Sequence, residues 1–322
     1  MNEAREPLPR VSPVLRPIVV GLGECLFDVV EDRAMLGGAP LNAAFQAHQL
    51  AARSGGRGVV VTRVGNDPLG RRAVDELAVR GLATDWVQVD PQAETGRALV
   101  QVVDGKTQFA IVPDVAWDRL EFTEGLQALA AECHAVFFGT LGQRSTIARE
   151  TIRRFLVAAP QAIRLFDVNF RSPFFNAEIV KSCCELATVV KLNEDELPIV
   201  CELAGLGTHP ATPDDRAGEM LARFPLSAMV LTRGAAGTVL YLPGRRIETS
   251  PVSYPPHPQA DAVGAGDACS AGLVMGMLRG WSPEQTVDLA NRMGAYVASQ
   301  PGATVTLPQE IRQLVAEPSS QV

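Results

Sequence analysis

No basic stripe runs along this chain: 29 Lys and Arg stand against 36 Asp and Glu, a formal net charge of −7. A field of that sign offers nothing to nucleic acid or to an anionic membrane surface. Any anion site must therefore be built locally, from backbone amides and a few side chains. No apolar run approaches the ~20 residues that a membrane span needs. The six cysteines (25, 133, 183, 184, 201 and 269) include no C-x-x-C pair and no Cys/His spacing of a zinc site. In a chain of 322 residues their irregular spacing reads as reduced cytosolic thiols, with adjacent Cys183-Cys184 as two half-buried residues of a helix. Residues 1–16 mix acids, prolines and arginines without the apolar centre of a signal peptide, so a cytoplasmic protein is expected. Internal repeats and low-complexity tracts are also lacking, and 1–16 and 316–322 read as frayed tails.

What is present is a hydrophobic fraction of 47%, enough for a sizeable core in one α/β body with a smaller appendage. Short apolar runs rich in Val, Ile and Phe recur at Pro17–Gly23, Gly58–Gly65, His134–Leu141, Arg164–Asn169, Thr188–Asn193, Ser227–Gly234 and Gly237–Leu242. Helical stretches such as Leu69–Arg80, Ser145–Ala159 and Pro213–Arg223 lie between them. That alternation predicts a doubly wound, mostly parallel sheet covered on both faces, with ligands at the carboxyl ends of the strands. Two regions break the pattern. Thr95–Asp104 and Lys106–Val112 alternate apolar and polar residues around Asp104-Gly105, a two-residue hairpin signal, and Cys25–Leu36 does the same with a turn near Glu31-Asp32. These half-exposed strands predict a small β lid at 25–38 and 94–118, with 17–24, 39–93 and 119–315 forming the body.

The segment with most chemistry is Asp261–Asp267. Gly264-Ala265-Gly266 precedes the apolar stretch Ala268–Leu278, which ends in Arg279-Gly280, and the next helix opens at Ser282-Pro283-Glu284-Gln285 with a capping box. Gly264–Gly266 therefore sits at a helix start, where backbone N–H groups and the helix dipole favour an anion. Asp267 at that spot has two readings. It is an acid stabilised by the dipole, or it is a general base beside an anion hole for a transferring phosphoryl group.

Other segments bear on that choice. Asp261-Ala262-Val263-Gly264-Ala265-Gly266-Asp267 resembles the D-T-x-G-A-G-D motif of the ribokinase/PfkB family of sugar and nucleoside kinases. Gly37-Gly38-Ala39-Pro40-Leu41-Asn42-Ala43-Ala44 is similar to that family's G-G-x-x-x-N-x-A. Gly65-Asn66-Asp67 with Gly70, Asn193-Glu194-Asp195-Glu196, and Thr232-Arg233-Gly234-Ala235-Ala236-Gly237 resemble its G-x-D-x-x-G, N-x-x-E and T-x-G-x-x-G elements. Five motifs in family order cover about residues 17–308.

The resemblance implies the fold already read from the pattern, with ATP and Mg²⁺ as cofactors. It implies Asp267 as catalytic base and Gly264, Ala265 and Gly266 as anion hole. Asn193 and Glu196 would organise Mg²⁺ through its waters, as suits a hard cation, or they are an ordinary helix start. Thr232, Gly234, Gly237, Gly266 and Asn291 would line ATP, although the three in the T-x-G-x-x-G element also fit a plain inter-strand turn. On the sugar side the resemblance implies a Gly37-Gly38 hinge, with Asp28 and Asn42 on hydroxyls. Arg171, in Asp167-Val168-Asn169-Phe170-Arg171, faces sugar or phosphate or else solvent, and Gln143 and Arg144 are further pocket candidates. Asp261 and the Pro301-Gly302 turn are compatible with the monovalent cation, K⁺, that many members hold there. The chain departs from the pattern at Ala262, where Thr is usual, and at Cys269, where Phe is frequent.

Segments such as Val115-Ala116-Trp117-Asp118 and Phe138-Gly139-Thr140-Leu141 are most similar to bacterial fructokinase-type members, which implies D-fructose phosphorylated at O6. Ribose, 2-keto-3-deoxygluconate, and a non-catalytic sugar-binding regulator on the same fold stay open as alternatives. A dinucleotide oxidoreductase built on Gly21-Leu22-Gly23 fails because Leu26 stands where the third glycine belongs. The expected partner is a small sugar rather than nucleic acid or membrane, and the exposed lid offers an edge for a homodimer.

Overall fold

The computed structural model describes residues 16–30, 33–103, 106–207 and 212–315. In chain order the first half holds β1 (Ile18–Leu22), β2 (Leu26–Val30), β3 (Arg33–Gly37), α1 (Ala39–Ala51), β4 (Arg57–Gly65), α2 (Pro68–Val79), β5 (Val87–Asp90), β6 (Gly96–Val103), β7 (Lys106–Ile111), α3 (Glu124–Glu132), β8 (Ala135–Phe138) and α4 (Thr146–Ala158). There follow β9 (Ile163–Asp167), α5 (Ala177–Leu186), β10 (Val189–Asn193), α6 (Glu196–Leu203), α7 (Pro213–Arg223), β11 (Ala228–Thr232), β12 (Thr238–Leu242), β13 (Arg245–Glu248), α8 (Ala265–Leu278), α9 (Pro283–Ala298) and α10 (Gln309–Leu314).

Strands β13-β12-β11-β10-β9-β8-β1-β4-β5 form one nine-stranded sheet. It is parallel from β5 to β11, with Val20 opposite Val59 and Asn193 opposite Thr232. Its inner strands are apolar on both faces because helices cover both. Val20 and Phe166 pack under α3–α7, while Val19 and Leu165 pack under α1 and α8–α10. Gly237–Leu242, one of the expected parallel strands, instead returns antiparallel as β12. The turn from Arg233 to Gly237 is too short for the crossover that a parallel strand needs. Two edge strands, β5 and β13, have no apolar run to announce them; β13 is exposed except at Ile247. Cys183 and Cys184 on α5 are fully buried rather than half-buried, and burial pushes the Cys183 thiol up to about 12.

A second sheet, β3-β2-β6-β7, stands apart as the lid. Its hairpins pair antiparallel as far as Val30–Arg33 and Val103–Lys106. The turns expected at Glu31-Asp32 and Asp104-Gly105, like the tails before Arg16 and after Val315, lie outside the described residues. Period-two alternation splits the lid's faces: Phe27 packs with α1 and α2, while Leu26 packs toward Trp117.

Two anchors join lid to body. Asp67, the N-cap of α2, accepts hydrogen bonds from Gly70 N (2.7 Å), Thr95 N (2.7 Å) and Thr95 Oγ1 (2.9 Å). Burial pushes its carboxyl up, but these hydrogen bonds outweigh that and hold it below the usual carboxylate range. The second anchor is Arg144, whose guanidinium lies between the Trp117 and Phe174 rings and bonds both Asp118 oxygens and the Val112 carbonyl. Asp67 caps a helix and ties down the lid's entry at once. Asp67→Ala should therefore lower stability by about 1–2 kcal/mol in urea unfolding. Exposed Asp75→Ala on the same helix should change it by less than about 0.5 kcal/mol, and equal losses in the two variants would remove this role for Asp67.

Candidate active site

Between the carboxyl ends of the large sheet and the lid lies a cavity of about 820 Å³. Its polar lining gathers Asp28, Asn42, Arg171, Asn193, Glu196, Thr232, Asp261 and Asp267 from remote parts of the chain, with Gly37, Gly38, Gly264 and Gly266 in its wall.

α8 starts where it does because Gly264 takes a left-handed φ of 77°, and a Cβ there would lie 2.5 Å from the Ala303 Cβ. The first helical backbone bond runs from Ala268 N to Gly264 O. Ala265 N–H is already used by the Ala262 carbonyl, so among Gly264–Gly266 it offers no free donor. At this helix start the amides of Gly264, Gly266 and Asp267 have no backbone partner among the described residues. Asp267 is 8% exposed, and its Oδ2 accepts from Asn42 Nδ2 at 2.8 Å. Burial, reinforced by the nearby Asp167 carboxylate, pushes its pKa to about 7, against the pull of Asn42, Lys191 and Arg171. Asn42 thus holds the acid, and its own Oδ1 is buried without a partner, open to a hydroxyl donor.

α1 delivers Asn42 because it begins directly after Gly38. Gly38 adopts φ 125°, and a Cβ there would lie 2.4 Å from the Glu24 carbonyl oxygen. Gly37 passes close to the Asp28 carboxylate, whose pKa burial raises and Arg171 lowers. Arg171 is exposed and donates to Asn169 Oδ1 at 2.7 Å. Two expected pocket residues lie elsewhere. Gln143 is buried, donating to the Gly139 carbonyl at 2.6 Å and contacting Cys183 Sγ, so it packs against α5 rather than facing the cavity. Arg144 is engaged in the lid anchor.

At the other end of the cavity, Asn193 Oδ1 accepts from Glu196 N, while Glu196 accepts from Asn193 N and Phe170 N, each at 2.9 Å. Burial raises the Glu196 pKa. The ordinary helix-start geometry is thus present, and each carboxylate oxygen keeps a lone pair. Among the described residues no group of three or more His, Cys, Asp or Glu could hold a metal ion. The arrangement fits Mg²⁺ only through water and phosphate oxygens. Gly234 and Gly237 lie off the cavity, on the turn after Thr232. Asn291 meets Gly237 there, its Nδ2 donating to Thr249 Oγ1 at 3.0 Å. Asp261 accepts from Val263 N and Gly302 N, tying together the two loops expected beside a monovalent cation.

Three charged groups of the cavity, Lys191, Asp167 and Glu24, were given no role in the sequence reading. Lys191 is buried on β10 and paired with Asp167 on β9, and Ser270 on α8 donates to Asp167. Glu24 is 4% exposed with a buried, partnerless Oε2, and burial pushes its pKa to about 7. A lysine inside the apolar run of β10 was the available signal for the first pair.

A buried acid beside unpartnered helix-start amides, in a cavity lined by carboxylates and amides, suits the transfer of an anionic group. The pfkB family carbohydrate kinase pattern matches residues 24–310. The chain belongs to this family: it is a phosphotransferase that acts on a sugar hydroxyl. Among similar proteins, the fructokinase of Escherichia coli is 29% identical over 89% of this chain and 95% of its own length. The crystal structure of Xylella fastidiosa fructokinase with bound ATP superposes with a TM-score of 0.76 at 22% identity, covering 94% of this chain and 99% of that one. The aminoimidazole riboside kinase of Salmonella enterica superposes with a TM-score of 0.73 at 20% identity, covering 93% and 100%.

A base works only when deprotonated, so if Asp267 serves as the base its pKa of about 7 means that kcat/KM should rise with pH up to about 7 and level off above it. Asp267→Asn should lower kcat by roughly 10²–10⁴ and abolish that rising limb while keeping ATP binding. Near-normal kcat in this variant would remove Asp267 as the base.

Proposed function

We propose that this chain transfers the γ-phosphoryl group of ATP to O6 of D-fructose. The observation that carries the reading is Asp267, buried beside the free amides of Gly266 and its own N–H and held by Asn42. The fructose hydroxyl attacks phosphorus, Asp267 takes its proton, and ADP leaves with the electrons of the broken P–O bond. The amides stabilise the phosphoryl oxygens as charge shifts among them. Asn193 and Glu196 would hold Mg²⁺ through water, and the ion would supply charge neutralisation for the phosphates. Thr232, Gly234, Gly237 and Asn291 carry the nucleotide, and Asp261 would hold K⁺. Residues 25–38 and 94–118 act as a lid that closes over the sugar and keeps water from the phosphoryl group. The free edge of the lid is the surface proposed for pairing in a homodimer, and the cytoplasm is the proposed location. No helix among the described residues is long and apolar enough to cross a membrane.

Fructose is favoured over an acid sugar because the acceptor end is lined by Glu24 and Asp28, which repel a carboxylate and receive hydroxyl protons. The Escherichia coli relative is itself named a fructokinase. Arg171 favours a second reading, 2-keto-3-deoxygluconate, whose carboxylate it could pair. A coupled ADP-release assay across fructose, ribose, aminoimidazole riboside and 2-keto-3-deoxygluconate should give the highest kcat/KM with fructose. NMR of the product should place the phosphate on O6. A tenfold preference for any other acceptor would overturn the fructose assignment.

A further inference from the structure

The cavity is short of positive charge for a site that takes a polyphosphate. Six carboxylates line it (Glu24, Asp28, Asp167, Glu196, Asp261 and Asp267), against two basic side chains, Arg171 and Lys191. Arg171 is exposed and lies toward Asp28. Lys191 is the one inside. Its side chain is 5% exposed, and its Nζ donates to both Asp167 oxygens at 2.9 and 2.7 Å. Burial alone would lower the Lys191 pKa, but the Asp167 charge outweighs it, so the ammonium stays charged.

Stability does not explain this pair. Replacing a buried ion pair with apolar groups of similar size is often neutral or stabilising, and Lys191 interrupts a strand whose other inner positions are apolar. What the pair does achieve is position. β9 and β10 place Asp167 and Lys191 directly side by side. Ser270, one turn beyond Asp267 on α8, donates to Asp167 Oδ2 at 2.8 Å and fixes the acceptor. Lys191 Nζ then lies 3.4 Å from where a Gly266 Cβ would be, at the free amides of the helix start. An ammonium has three N–H groups. Asp167 takes two, and the third has no partner among the described residues.

We propose that Lys191 is a further catalytic residue: held by Asp167, it donates its free N–H to an oxygen of the phosphoryl group in transit beside Gly266. Lys191 keeps all its protons throughout; the O–P bond to the sugar forms, the bond to ADP breaks, and the hydroxyl proton goes to Asp267. Asp167 and Ser270 are positioning residues that act through Lys191. The proposal rests on the kinase reading above.

The test compares the unaltered enzyme with Lys191→Met and with the double variant Lys191→Met/Asp167→Asn. Rates are read on the alkaline plateau, where a displaced Asp267 titration does not enter. Both variants should lose about 10²–10³ in kcat, the usual scale for one donor to a transition-state oxyanion, with sugar KM within about threefold of the unaltered enzyme. Calorimetry should show ADP binding kept, but binding of ADP with aluminium fluoride and sugar weakened by a similar factor. The double variant, which removes both charges, should melt within a few degrees of the unaltered protein and remain slow. It carries the test even where Lys191→Met does not fold. A double variant with kcat and aluminium fluoride affinity restored to within threefold would make the pair structural and overturn the proposal. No turnover of any sugar by the unaltered enzyme would instead overturn the kinase reading on which the proposal stands.

Discussion

A carboxylate buried at a helix start is the constraint around which the rest of this molecule is arranged. Burial raises the pKa of Asp267, since an ionised acid taken out of water is costly. Three features bring its pKa back to about 7: the Asn42 amide, the Lys191 ammonium and the Arg171 guanidinium, set against the opposing Asp167 charge. Each comes from a different part of the chain. Asn42 is presented by α1, which packs along α8; Lys191 lies mid-strand on β10 beside Asp167 at the end of β9; Arg171 follows β9. The parallel sheet matters here because it aligns the carboxyl ends of its strands at the start of α8. The fold is the means by which one acid stays both buried and ionisable.

The lid depends on the same region. Its two connections nearest the acid pass through Glu24 and Gly37-Gly38, so the backbone that begins α1 is also the backbone that leaves β3. The Gly38 conformation therefore sets Asn42 and the lid's hinge together. The remaining connections are held by Asp67 and by Arg144, which make the lid's base rigid while leaving its sheet to cover the cavity. Gly65-Asn66-Asp67 with Gly70, noticed first only as a family-like motif, acquires a physical role in this way. It caps α2 and receives Thr95, with no direct part in ligand chemistry.

Legibility in the sequence followed the range of the interactions. The Ser282 capping box was readable because a cap involves residues three apart, and the α8 start because its N-cap is a glycine ahead of an apolar, small-residue stretch. The inner strands were readable because burial on both faces leaves an apolar run. β5 and β13 were not, since an edge strand carries charge and needs no such run. Gln143 was misassigned because it follows a strand whose end faces the cavity, yet its rotamer obeys Gly139 and Cys183. Asn42 Nδ2 bonds an acid 225 residues away and leaves Oδ1 for the hydroxyl expected there. No local pattern encodes a hydrogen bond of that span, and the same holds for Lys191 and Asp167.

What remains unpaired says most about the acceptor. Natural interiors leave few buried polar atoms without partners, yet Glu24 Oε2 and Asn42 Oδ1 both lack one and both line this cavity. Both are unpartnered oxygens, so a ligand rich in hydroxyls completes them, and Arg171 is the one basic group at that end that would take a carboxylate. The nucleotide end has the opposite character, with free amides and a lysine waiting for an anion. The two ends meet at Asp267, which touches the acceptor side through Asn42 and the donor side through the helix it begins. A neutral polyol on one side and a phosphoryl group on the other is the pairing that satisfies every one of these groups.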